Sequence, residues 1–281
     1  MKSLNKAFME VYGEALAPYG FKRVKGRQPY IVRVINDEIV HVLTVIKEDT
    51  ADYETSGFRI YAGVATVYRL KIDFDEKPYY CRDWLVSIDK IYQNDDYFED
   101  RNDRFIGKYG YIYGKNDENA LMECMRKSLE GTKEVALRVF EKINNLKMCI
   151  SFWKCYSMTV YTVHINMLLK PSESSEGAVS LLVFDSCEDF NAYLKDESDK
   201  YDECMINSIK TGDWTGTVGY WGGTVEEYIA NKDSGRRKEV RRLKQEGFAY
   251  FKNDKENYKI AMGELKRRKS KNLEYLSDVL L

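Results

Sequence analysis

The sequence predicts an α+β protein, with an N-terminal helix packed on an antiparallel sheet and a mostly helical C-terminal half. Three observations carry this. Apolar residues recur at helical spacing from Leu4 to Leu16, alternating strand-like segments follow through about residue 115, and helical spacing with capping signals returns from Asn116 onward. The expected division is therefore 1–115 and 116–281, and a single compact unit is also compatible with the pattern.

Ser3 is placed to cap the first helix, whose apolar stripe is Leu4, Ala7, Phe8, Val11, Ala15 and Leu16. Pro18 cannot continue that helix, and Gly20 permits the turn that follows. Tyr30 to Ile35 alternates as a strand, and Asn36-Asp37 reads as a tight turn. Ile39 to Ile46 is the most apolar strand and is expected to be central. Phe58 to Tyr68 is another strand, with shorter ones around Leu85 to Ile91 and Gly110 to Tyr113.

Asn94 to Asp103 reads as an acidic loop. The helix opening at Asn116 carries Leu121, Met125, Leu129, Val135, Val139 and Ile143, with Gly131 as the expected break. Met148 to Met158 is expected to be helical, Tyr161 to Leu169 fits helix or strand, and so does Ala178 to Phe184. Pro171 to Gly177 is the best linker. Asp189 to Ile209 should be a helix. Thr224-Val225-Glu226-Glu227 is a capping box after the glycine- and tryptophan-bearing stretch from Gly212 to Gly223.

Composition is that of a globular chain, 44% hydrophobic and 32% charged over 281 residues. The net charge of −1 gives no global attraction to nucleic acid or anionic lipid. Its distribution is uneven: Lys232 to Leu281 holds 15 Lys or Arg against 8 Asp or Glu, a net of +7. Glu10 and Glu14 interrupt any apolar leader, and no run approaches the ~20 residues that span a bilayer. Cys81, Cys124, Cys149, Cys155, Cys187 and Cys204 form no CxxC pair. Reduced thiols in the cytoplasm, with no membrane association, are the expectation.

No motif for catalysis stands out. Gly216, Gly219, Gly222 and Gly223 lack the Lys and Ser/Thr of a phosphate-binding loop, so a loop packed by Trp214, Tyr220 and Trp221 is favoured. His41 and His164 both sit in apolar runs without a nearby nucleophile. Asp73, Asp75 and Lys77 are faintly similar to a nuclease carboxylate–lysine set but read better as a charged loop. Asp95, Asp96, Glu99, Asp100 and Asp103 lack the glycine of a calcium loop. No metal site and no cofactor is expected. Arg236, Arg237, Lys238, Arg241 and Arg242 are the candidate nucleic-acid-binding residues, with a second basic run at Lys266 to Lys271; such runs are more often a solvated helix face. Gly247, Tyr250, Tyr258 and Ala261 fit one tetratricopeptide-like helical hairpin.

Leu16-Ala17-Pro18-Tyr19-Gly20-Phe21-Lys22-Arg23, Tyr30-Ile31-Val32-Arg33-Val34 and Gly63-Val64 carry a resemblance. Over roughly residues 4–113 the chain resembles the bacterial family called domain of unknown function 4304. The resemblance implies a helix-plus-antiparallel-sheet domain followed by helices, in a cytosolic bacterial protein, and brings no catalytic residue. Lys47-Glu48-Asp49 stands where that family has a glutamine-rich strand end. The leading functional expectation is a non-enzymatic module that binds a protein partner, because 22 tyrosines offer large semi-rigid contact surfaces. The alternatives are nucleic-acid association through the basic C-terminal helices, and a hydrolase or nuclease site assembled from distant residues.

Overall fold

The computed structural model describes residues 2–50, 52–69, 71–78, 85–88, 91, 110–149, 152, 187–214, 220–232 and 255–281. The chain divides into two compact units. The first comprises Met1–Val67, Lys71–Ser157 and Lys269–Leu281, and the second Tyr68–Leu70 and Met158–Arg268. The division drawn from sequence at residue 115 thus falls inside the first unit. The acidic loop Asn94 to Asp103, Tyr161 to Leu169, the linker Pro171 to Gly177, Ala178 to Phe184, His164 and the basic residues Arg236 to Arg242 lie outside the described residues. So do Gly247 and Tyr250 of the hairpin pattern, and Gly216 and Gly219 of the glycine loop.

The first unit has the expected α+β architecture. Helix α1 (Leu4–Ala15) starts at Ser3, whose hydroxyl accepts from the Lys6 N–H at 3.4 Å. A 3-10 turn (Ala17–Tyr19) ends at Gly20, which sits at φ 79°, a conformation that glycine adopts without cost. Six strands then form one antiparallel sheet: β1 (Lys22–Arg23), β2 (Tyr30–Ile35), β3 (Ile39–Glu48), β4 (Thr55–Thr66), β5 (Leu85–Ser87) and β6 (Tyr111–Gly114). The order is β1-β2-β3-β4-β5, and β6 also pairs with β4. Asn36 and Asp37 both lie at φ 52°, and the Glu38 N–H donates to the Ile35 carbonyl at 3.0 Å. Two left-handed residues in succession make the hairpin turn whose twist matches the strands.

β3 is central, and Ile39 to Ile46 are all buried. Its two faces are covered differently. Ile31, Arg33, His41 and Val64 share one face by register. Arg23, opposite Ile31, lies across Gly13 of α1, so close that a Cβ there would meet Arg23 Nε at 2.0 Å. That contact sets α1 on this face. Tyr30 and Val32 point to the other face, where the Tyr30 ring meets Phe74 at 5.0 Å and Phe74 meets Tyr275 at 6.4 Å. Tyr275 belongs to helix α5 (Lys255–Val279), which contributes Lys269 onward to this unit. Asn272 fastens it by accepting from the Ile72 N–H (3.2 Å) and donating to the Val67 carbonyl (2.8 Å).

Gly131 does not break the second helix. Helix α2 (Glu118–Thr132) runs through it, passes into a π turn (Lys133–Leu137), and continues as α3 (Arg138–Lys142). A glycine costs a helix about 1 kcal/mol, and tertiary bonds on either side offset it. The Tyr12 hydroxyl lies 2.9 Å from both Ser128 Oγ and Thr132 Oγ1, all buried. The wider π turn re-phases the helix so that Phe140 and Ile143 also reach the sheet. Burial raises the Tyr12 phenol well above its ordinary range, so it stays a neutral hydrogen-bonding group.

Thr66, opposite Ile39, is fully buried and its hydroxyl has no hydrogen-bond partner among the described residues. A buried hydroxyl without a partner costs free energy that an isosteric methyl does not. Thr66→Val is expected to raise the unfolding free energy by about 1 kcal/mol. Urea unfolding checks this, and an equal loss instead would show that the hydroxyl is satisfied.

In the second unit, helix α4 (Cys187–Thr211) ends at Gly212, φ 71°. A second helical segment, 225–232, follows the expected capping box: Thr224 N–H donates to Glu227 Oε2 (2.9 Å), and Glu227 N–H donates to Thr224 Oγ1 (3.2 Å). Asp202 of α4 is buried and accepts from the Tyr228 hydroxyl at 3.0 Å, with Lys232 on its other oxygen. This charge-assisted pair clamps the two helices together.

Candidate functional site

Among the described residues, the candidates with catalytic potential are engaged in internal contacts. His41 is fully buried on β3. Arg33, its cross-strand neighbour, donates to His41 Nδ1 from Nε at 3.3 Å and from Nη2 at 3.1 Å. With Nδ1 accepting, the proton sits on Nε2, which donates to the Ile143 carbonyl at 2.9 Å. The ring stacks on Phe140, centroids 4.5 Å apart and planes within 5°. Burial, reinforced by the Arg33 charge, pushes the imidazole down to about 3. A base must be able to take a proton near working pH and must have a free nitrogen; His41 has neither property. Arg33 also donates to the Tyr19 carbonyl at 3.1 Å and lies over the Phe21 ring at 4.8 Å. The cluster therefore ties the turn after α1, the sheet and the end of α3 together.

The other candidates fare similarly. Asp73 accepts from Lys71 and, at 2.9 Å, from the Asp75 N–H, so it closes a local turn, and the Lys71 bond holds its carboxyl below the usual range. Lys77 is exposed. No group of His, Cys, Asp and Glu suited to a metal occurs among the described residues. Burial pushes the Cys149 thiol up to about 12 and raises that of half-buried Cys124, which donates to the Ile112 carbonyl at 3.5 Å. Neither is an activated thiolate. Trp221 Nε1 donates to the Thr224 carbonyl at 3.3 Å, and Trp214 contacts Tyr220 with ring centroids 4.9 Å apart.

Three cations of the second basic run, Lys266 to Lys271, face carboxylates. Arg268 is 2% exposed and bonds Glu264 at 2.9 Å, Arg267 bonds the same carboxylate at 2.7 Å, and Lys269 faces Glu38 at 3.8 Å. The Arg267 and Arg268 guanidiniums hold Glu264 down at about 2. The described tyrosines divide between core and surface. Tyr12, Tyr30, Tyr68, Tyr111 and Tyr228 are core residues, while Tyr53 and Tyr220 are exposed at 80% and 78%.

The feature that stands out is the edge of β1. Lys22, Arg23, Lys25 and Arg27 put four cations in six residues without a carboxylate between them. Lys22, Lys25 and Arg27 are exposed. Neither Lys22 nor Arg27 has an ion pair or hydrogen bond among the described residues. The Val24 N–H turns inward to the Tyr30 carbonyl at 3.1 Å, which leaves the Arg23 and Lys25 backbones facing outward. There the end of the chain pairs with them. Val24 bridges Leu280, the Lys25 N–H donates to the Val279 carbonyl (2.7 Å), and the Leu281 N–H donates to the Arg23 carbonyl (2.9 Å). Lys25 Nζ adds a bond to the Asp278 carbonyl at 2.7 Å, at the negative end of α5. The run Lys22 to Arg27 was the available signal, but its place on a strand edge was not written in it.

No family model, curated protein or solved structure matches this chain. No helix among the described residues is long and apolar enough to cross a membrane.

Proposed function

We propose that this protein is a non-enzymatic binding module that engages a protein partner through the cationic edge of β1. The observation that carries this reading is a sheet edge whose outward Arg23 carbonyl and Lys25 N–H are bonded to Leu281 and Val279 and are flanked by the exposed cations Lys22 and Arg27. Sheet edges template pairing with other chains, and complementary charge steers and orients the encounter. The commitment of His41, Asp73 and Cys149 to internal bonds and burial supports binding over hydrolysis.

The test places a photo-crosslinking residue at position 22 in cells of the source organism, with exposed position 6 on α1 as control. A defined protein adduct from position 22, absent from position 6 and lost when Arg27→Glu is added, is the expected result. Identical adducts from both positions, or adducts digested by nuclease, would overturn the reading.

A further inference from the structure

We infer that the partner's contact is an acidic, extended segment that adds to β1 as a strand, and that Val279–Leu281 holds this place in cis until it is displaced. The inference rests on the proposed protein-binding reading and specifies its site. The structure already shows one antiparallel bridge on this edge, Val24 to Leu280 at the end of α5, so the geometry an occupant must satisfy is on view. It accepts from the Lys25 N–H, donates to the Arg23 carbonyl, and lies antiparallel to Val24. Strand addition of this kind draws affinity from main-chain bonds and selectivity from the flanking side chains. Here the flanking side chains are Lys22, Lys25 and Arg27, so a segment carrying carboxylates is favoured and a basic one is repelled.

The resident segment is suited to displacement. Leu281 is 64% exposed, Leu280 is only half-buried, and Asp278 is exposed, so little apolar surface returns to water when the segment leaves. The helix before it stays anchored independently through Asn272, Tyr275 and Leu276, the last 2% exposed. The bridge at Leu280 also shields an edge that would otherwise invite indiscriminate pairing. Asp75 lies near Gly26, between Lys25 and Arg27 in the run. A nucleic acid could use the same cations, but it would leave the outward Arg23 carbonyl and Lys25 N–H without the alternating partners that a peptide backbone supplies.

The experiment uses the full chain and a fluorescent acetylated octapeptide of alternating glutamate and threonine, followed by anisotropy. Leu281→Pro removes the N–H that the Arg23 carbonyl accepts. It should bind the peptide about fivefold more tightly than the parent chain, the equivalent of one hydrogen bond removed from the competing segment. K22E combined with R27E should weaken binding at least about tenfold, as should backbone N-methylation of alternate peptide residues. A chain lacking Leu281 must reproduce the proline result. Equal binding by the parent and both Leu281 variants, equal binding of the N-methylated peptide, or binding of a twelve-nucleotide DNA strand in place of the peptide would each overturn the inference. In those cases a position-22 protein adduct would still stand, so the partner class and the mode of contact fail separately.

Discussion

His41→Phe is expected to lower the unfolding free energy by about 3 kcal/mol while leaving binding at the β1 edge unchanged. Phenylalanine can keep the stack on Phe140, so the loss is polar rather than volumetric. The Ile143 carbonyl and the Arg33 guanidinium each lose a partner, and a buried group left unsatisfied costs about 1–3 kcal/mol. The pH dependence identifies the cause. In the folded chain the imidazole stays neutral down to about 3, whereas in the unfolded chain it protonates near its ordinary value of about 6.5. The unfolded state therefore binds the proton first as pH falls, and the stability that neutral His41 contributes is lost between about pH 6.5 and 3. Wild type should lose about 1.4 kcal/mol per pH unit to this group below pH 6.5. The gap between wild type and His41→Phe should thus narrow by about 2 kcal/mol between pH 7 and pH 5. Urea unfolding at both pH values reads the gap; a constant gap would mean that the folded imidazole takes up its proton as freely as the unfolded one.

This cluster shows where sequence and structure part. The strand alternation around His41, the apolar run from Ile39 to Ile46 and the Asn36-Asp37 turn are local patterns, and local patterns announced the hairpin and the central strand. A histidine inside such a run implied a neutral, hydrogen-bonded ring. That its acceptor is the Ile143 carbonyl, 102 positions away, could not be read locally. Gly131 illustrates the reverse case. Its propensity argued for a break, but the Tyr12 bonds to Ser128 and Thr132 hold the helix on both sides, and tertiary bonding overrides a cost of about 1 kcal/mol. The position of residue 115 inside the first unit has the same origin, since α2 packs against α1 through Tyr12. The β1 edge is a third kind of feature. Its cations are contiguous in sequence, yet their significance depends on which strand is outermost and on what pairs with it, and both are set by the fold.

Phe140→Ala should be more damaging than His41→Phe, costing about 4 kcal/mol. Phe140 is 1% exposed, stacks on His41, and meets Phe21 at 6.0 Å. Truncation removes the transfer energy of a whole ring and leaves a cavity beneath a buried polar cluster that cannot collapse without breaking its bonds. Water entering that space would rehydrate the imidazole, so His41 should begin to titrate above pH 4 in Phe140→Ala, while its ring resonances in wild type stay unchanged from pH 8 to about pH 4. The double variant Phe140→Ala with His41→Phe should lose less than the two single losses together, because the second change removes a ring whose support has already gone. Simple additivity, with His41 still silent to pH 4 in Phe140→Ala, would show that the stack contributes only packing, and that the Ile143 carbonyl and Arg33 alone keep the imidazole neutral.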